Sequence, residues 1–254
     1  MESKGSKARQ SHLIGLGSET DFEGWRKAAR ALVLGGANPS EVTWTVRGHE
    51  GALSGPSVDT PLEVSRSTFN VSAKFVELAR AAILHRDGER FAILYRLLWR
   101  LRSHHDLLDD GTDPDVSQLA AMAKAVHRDQ HRMQAAVRFR EVGRERESHY
   151  LAWFEPEHRI VELAAPFFAS RFADMPWSIL TPDVCAHWDG HAVSITPGIS
   201  KQEMPAEDRL EEIWRRHSRI VAGSPENPTW RHRTQIPVIQ SDPEKISVQP
   251  LIDK

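Results

Sequence analysis

Residues Val126 to Glu157 read VHRDQHRMQAAVRFREVGRERESHYLAWFEPE, and their periodicity changes part-way along. That change constrains the fold more than any other feature of the chain. Up to Ala136, the apolar residues Val116, Leu119, Met122, Ala123, Val126 and Met133 recur at helical spacing. From Val137 onward, Val137, Phe139 and Glu141 alternate with Arg138, Arg140 and Val142, which is the period of a strand. Gly143 to Ser148 is a charged hairpin turn, His149 to Glu155 is a second strand, and Pro156 ends it. A helix that feeds a hairpin calls for a chain that combines helices with antiparallel strands.

The rest of the chain extends this pattern in both directions. Residues 1–19 are polar and glycine-rich and read as a flexible leader. Thr20-Asp21-Phe22-Glu23 has capping-box spacing and opens a helix with Phe22, Trp25, Ala29 and Leu32 on its apolar stripe, ended by Gly35-Gly36. Glu41 to Val46 is β-branched and alternating, a strand. Residues 47–70 read as a loop with one short strand near Leu62–Val64. Helices follow over Ser72–Arg86 and Glu89–His104, the second apolar around much of its circumference. The helix from Asp115 to Ala136 is capped by Thr112 or Asp113, with Pro114 at its first position.

Beyond the hairpin, a helix over Glu157–Ala173 carries Pro166 and should kink there. Trp177–Thr181 is a strand, and Val184–Trp188 pairs with His191–Ile195 across an Asp189-Gly190 turn. A further helix spans Pro205–His217. The organisation is therefore a leader at 1–19, a mainly helical half at 20–136, an antiparallel α+β half at 137–217, and an extended or disordered tail at 218–254. The fold class is α+β, an N-terminal helical half packed with a C-terminal antiparallel sheet carrying one crossing helix.

Composition narrows the chemistry. The single cysteine, Cys185, excludes an internal disulfide, a multi-cysteine zinc site and a four-cysteine iron–sulfur site. A reducing, cytoplasmic setting fits this, and no apolar run has the length of a membrane span. The formal net charge is -2, so a nucleic-acid partner has to be met by a local basic patch. Such a patch is present. Lys124, Arg128 and Arg132 are four residues apart and stack on one helix face, Arg138 and Arg140 share a strand face, and Arg144 and Arg146 sit in the turn. Cations at these spacings can each neutralise a phosphate while the apolar sides stay packed. The competing reading is a solvated face with surface ion pairs.

The acid–base candidates are His131 with Asp129 or with Glu155. His127 and His131 have the spacing of a helical metal pair, but no glutamate follows the first histidine and no third ligand shares their face, so no metal site is assigned. His104-His105-Asp106 sits at a helix end that favours cationic histidine. Glu157 beside His158 reads as helix capping rather than catalysis. No glycine-rich phosphate loop or nucleophile elbow occurs, and no cofactor is expected.

Assembled, these segments resemble a bacterial family. The carriers are DFEGWRKAARAL, HRDGERFAILYRLLWRL, DPDV, AVHRDQHRM, VRFREV, YLAWFEPEHRIV, APFFASRFADMPWSILTP and HWDG, over roughly residues 20–215. The family is a domain of unknown function described as a probable DNA-metabolism protein. Its members are often encoded beside a radical-SAM protein of DNA repair or modification, or are fused to UdgX-type uracil-DNA-binding proteins of the uracil-DNA glycosylase superfamily. The resemblance implies a role in DNA metabolism and carries no catalytic residues with it. Arg128, Asp129, His131, Met133, Arg138, Phe139, Arg140, Trp153, Phe154, Glu155 and Pro156 match the pattern, whereas His127 stands where many members have arginine. After Trp214 the family continues into an Asn-Pro-Ala-Arg segment; here the chain reads RRHSRIVAGSPENPTWRHRTQIPVIQ. The motifs of the glycosylase domain are absent, so excision activity is not implied.

Three functions compete. The first is a DNA-binding accessory module of repair or modification, working with a radical-SAM or uracil-DNA-binding partner. Its contacts to the phosphate backbone are Lys124, Arg128, His131, Arg132, Arg138 and Arg140. The second is a nucleic-acid-processing enzyme using the His/carboxylate pair. The third is a protein-interaction scaffold.

Overall fold

The computed structural model describes residues 11–46, 70–142 and 148–200. The turn arginines Arg144 and Arg146, the short strand near Leu62, the Pro205–His217 helix and the tail lie outside the described residues. The chain divides into two compact units, residues 1–129 and 130–254.

In the first unit, β1 (His12–Leu16) pairs in parallel with β2 (Val42–Val46), from His12↔Val42 to Leu16↔Val46. The expected leader therefore contains a strand. Ile14 and Leu16 alternate inward to 3% and 2% exposure, and burying them stabilises a segment whose glycines disguise it. Helix α1 (Phe22–Leu34) is the crossover that parallel pairing requires. Its cap is Asp21, not Thr20. The Asp21 carboxylate accepts the Gly24 N–H at 2.8 Å and the Gly17 N–H at 3.0 Å. A Cβ on Gly24 would lie 2.1 Å from that carboxylate, so a larger residue there would make the Asp21 side chain shift.

Helices α2 (Ala73–Ile83) and α3 (Arg90–Arg100) complete this core with the first half of α4 (Pro114–Ala136). Trp25, Trp44, Phe75, Phe91 and Tyr95 form its aromatic centre. Arg90, 2% exposed, is tied at every nitrogen: Nε donates to the Ile83 carbonyl at 2.9 Å, Nη1 to Asp87 at 2.8 Å, and Nη2 to the Glu19 carbonyl at 2.9 Å and to the Glu19 carboxylate. One side chain thus closes the α2–α3 turn and anchors the entry to α1.

In the second unit, five strands line up in sequence order: β3 (Arg140–Val142), β4 (His149–Trp153), β5 (Trp177–Leu180), β6 (Val184–Trp188) and β7 (Val193–Pro197). The sheet is mixed rather than antiparallel, because β4 and β5 run parallel. The reason lies between them: α5 (Val161–Arg171) carries the chain back across the sheet, so the next strand starts at the same end. Helix α5 runs unbroken through Pro166. Phe139, Phe168 and Trp177 pack edge-to-face or tilted on its side of the sheet. β5 is buried on both faces. The β6–β7 turn has Gly190 at φ 95, as the Asp-Gly signal predicts, but β7 begins at Val193. Asp189 takes the His191 and Ala192 N–H groups at 2.7 and 2.8 Å and so lengthens the loop to four residues.

The buried Arg90 hub gives a stability prediction. Arg90→Ala should cost about 3–5 kcal/mol in urea unfolding, because it leaves the Glu19 carboxylate and buried carbonyls without their cation. A loss under about 1 kcal/mol would show that the hub contributes little.

Candidate nucleic-acid interface

Helix α4 is built from its cap outward. Asp113 accepts the Asp115 and Val116 N–H groups at 3.1 and 3.2 Å. Arg100 donates to Asp113 from both terminal nitrogens, and Arg96 pairs with Asp115 at 2.6 Å. The Arg100 guanidinium, with the helix N–H groups, holds the Asp113 carboxyl below its ordinary pKa. The helix then buries Val116, Leu119, Met122, Ala123, Val126 and Met133.

The opposite stripe, at residues 120, 121, 124, 127, 128, 131, 132 and 135, is exposed. It carries Lys124, His127, Arg128, His131 and Arg132, and no carboxylate. Asp129, the one acidic residue between Lys124 and Met133, is turned inward to 3% exposure. Successive cations four residues apart rise by about 6 Å, so Lys124 to Arg132 spans about 12 Å.

The remaining predicted arginines have different surroundings. Residues 137–139 precede β3 instead of belonging to it, so the expected strand begins three residues late. Val137 is buried and Phe139 packs on Phe172 and Trp177, which leaves Arg138 outward. Arg138 folds back, its Nη1 donating to the Ala135 carbonyl at 2.6 Å and the Val137 carbonyl at 2.9 Å. It satisfies carbonyls that the end of α4 leaves open and offsets the negative end of the helix dipole. Arg140 is exposed at the β3 edge. Arg132 lies 5.1 Å over the Phe154 ring, donates to the Glu155 carbonyl at 3.3 Å and pairs with Glu157 at 3.5 Å.

The acid–base candidates do not form a pair on α4. His131 is exposed and Asp129 buried, because residues two apart project about 200° apart around a helix. The Glu155 carboxylate accepts the Trp153 indole N–H at 3.1 Å. His104 and His105 are exposed beyond α3. Among the described residues, no group of three or more His, Cys, Asp or Glu is placed to hold a metal ion, and no helix is long and apolar enough to cross a membrane.

A polar chain that the sequence reading missed crosses the sheet of the second unit. His149 Nε2 lies 2.8 Å from Ser178 Oγ, which lies 2.7 Å from His187 Nδ1; His187 Nε2 lies 2.8 Å from Thr196 Oγ1. These residues come from β4, β5, β6 and β7, and His149, Ser178 and His187 are 6%, 0% and 2% exposed. A neutral imidazole supplies one donor and one acceptor, and a hydroxyl can do both, so the chain saturates without charge. Burial pushes the His149 pKa down to about 4. The available signal was a lone polar residue at an inward position of each apolar strand: Ser178 in WSIL and His187 in VCAHW.

A family model described as a domain of unknown function, DUF4130, matches residues 88–238, more than half of the chain. No curated protein and no solved structure matches.

The polar chain predicts a pH dependence. The unfolded His149 takes up its proton near pH 6.5 and the folded one near 4, so the unfolded state binds more protons in between. Stability should fall as pH drops through this window, by about 2–3 kcal/mol in total, and His149→Gln should flatten the profile in urea unfolding between pH 7.5 and 4. An equally steep profile in the variant would remove His149 as the cause.

Proposed function

The chain belongs to the DUF4130 family, and on that premise we propose that it is a DNA-binding accessory module of DNA repair or modification, acting with a uracil-DNA-binding or radical-SAM partner. The partner part of this reading rests on the resemblance carried by AVHRDQHRM, YLAWFEPEHRIV and MPWSILTP.

The observation that carries the DNA part is the exposed stripe of α4. Lys124, Arg128 and Arg132 stand on successive turns with His127 and His131 between them, and the nearest acidic side chain on the helix is buried. Interspersed charges of both signs are the ordinary composition of a solvated surface. A stripe of one sign on a chain of net charge -2 favours a polyanion. The contacts of the proposal are therefore Lys124, Arg128 and Arg132, with Arg140 a separate exposed cation on β3. Arg138 is assigned instead to holding the end of α4. The His131–Asp129 enzyme reading gains no support from their placement on opposite sides of the helix.

The test is the salt dependence of duplex binding. Each phosphate neutralised contributes about -0.9 to the slope of log affinity against log salt. Lys124→Ala with Arg128→Ala should weaken binding across sequences and flatten the slope by about 1.8. Binding that ignores salt, or a slope unchanged in the double variant, would contradict the proposal.

A further inference from the structure

The three cations of the α4 stripe do not stand alike, and the difference lies in the corner after β4. Phe154 is 8% exposed, and its N–H is bonded to the Leu180 carbonyl at 3.1 Å, which fixes the corner to β5. Pro156 is buried and locks its own φ. The Glu155 carboxylate is engaged by the Trp153 indole. The groups that meet Arg132 here are of different kinds. The Phe154 ring and the Glu155 carbonyl are parts of the fixed corner, and both persist whatever else the guanidinium binds. The Glu157 carboxylate is a replaceable partner: it meets Arg132 at 3.5 Å, and the two side chains are 70% and 45% exposed. That separation is longer than the roughly 2.7–2.9 Å of a direct charge-assisted bond, and exposed pairs of this kind exchange readily with solvent ions.

We infer that Glu157 is a built-in competitor for the cationic face, holding Arg132 in the unbound protein and giving way to a phosphodiester of the nucleic acid. This rests on the DNA-binding reading above and adds the regulation of the same site. The ring and carbonyl keep the guanidinium in one place, so a phosphate that displaces Glu157 meets a cation already oriented. A lysine at this position would keep the charge and lose the planar stack. The competition lowers affinity for any isolated anion. A backbone that engages Lys124 and Arg128 at the same time offsets the loss, so the device favours a polymer of phosphates over a single one.

The experiment is a double-mutant cycle on the full chain, read by fluorescence anisotropy with a labelled mixed-sequence DNA duplex. Glu157→Gln should tighten binding by about two- to fivefold, the size of an exposed ion pair. In an Arg132→Ala background the same change should have no effect, because the cation it competes for is then gone. An equal gain in both backgrounds would reduce Glu157 to a repulsive charge acting at a distance, and no gain in either would remove it altogether; both overturn the inference. The Lys124→Ala/Arg128→Ala variant run alongside separates this failure from that of the parent reading. A slope flattened there with Glu157→Gln inert leaves the phosphate reading standing and the competitor gone. If neither variant alters binding, both fall.

Discussion

Burial of the apolar stripe of α4 is the constraint on which the proposed DNA-binding surface depends. With 3.6 residues per turn, putting Leu119, Met122, Val126 and Met133 inside leaves positions 124, 127, 128, 131 and 132 no place but water. The same rotation turns Asp129, the one acidic residue between Lys124 and Met133, inward and away from the stripe. The cationic face is thus a consequence of packing as much as of composition. At its start Asp113, braced by Arg100, fixes the first turn, and at its end Arg138 closes the last carbonyls.

Charge is handled differently in the two units. The first buries a full cation, Arg90, and satisfies it with three carbonyls and a carboxylate. The second carries two imidazoles and two hydroxyls across four strands, with burial favouring the neutral form of His149 at the expense of stability in acid. Both solutions meet the rule that buried polar groups need partners. They differ in what they tolerate. Losing Arg90 takes a cation from the half-buried Glu19 carboxylate and a donor from three carbonyls, whereas protonating His149 places a charge inside a buried polar chain.

Much of this was legible in the sequence, for reasons that can be named. The period of α4 is long and regular, and it marks both the buried stripe and the cationic one. Asp189-Gly190 is a turn because only glycine readily adopts φ 95 there, although the Asp189 side chain delays the following strand by two residues. The strand β1 was hidden because Gly15 and Gly17 break up a short alternation whose partner lies thirty residues away at Val42. Alternation says nothing about strand direction; the parallel β4–β5 pair is encoded in the intervening helix. The polar chain was hidden for a different reason. His149, Ser178 and His187 are each a single polar residue in an apolar strand, and only the register brings them within 2.8 Å. Arg138 and Arg140 share a strand parity, yet the chain enters β3 late and Arg138 turns back on the helix it follows.

In the proposed complex a phosphate backbone lies along one stripe of α4. Titrating duplex DNA into isotope-labelled protein and following amide and arginine side-chain resonances by NMR tests it at the level of single residues. Saturating shifts are expected at Lys124, His127, Arg128, His131 and Arg132, with buried neighbours such as Met122 and Val126 moving far less. Shifts concentrated on α5 or along β6 and β7, with the α4 stripe unmoved, would contradict it.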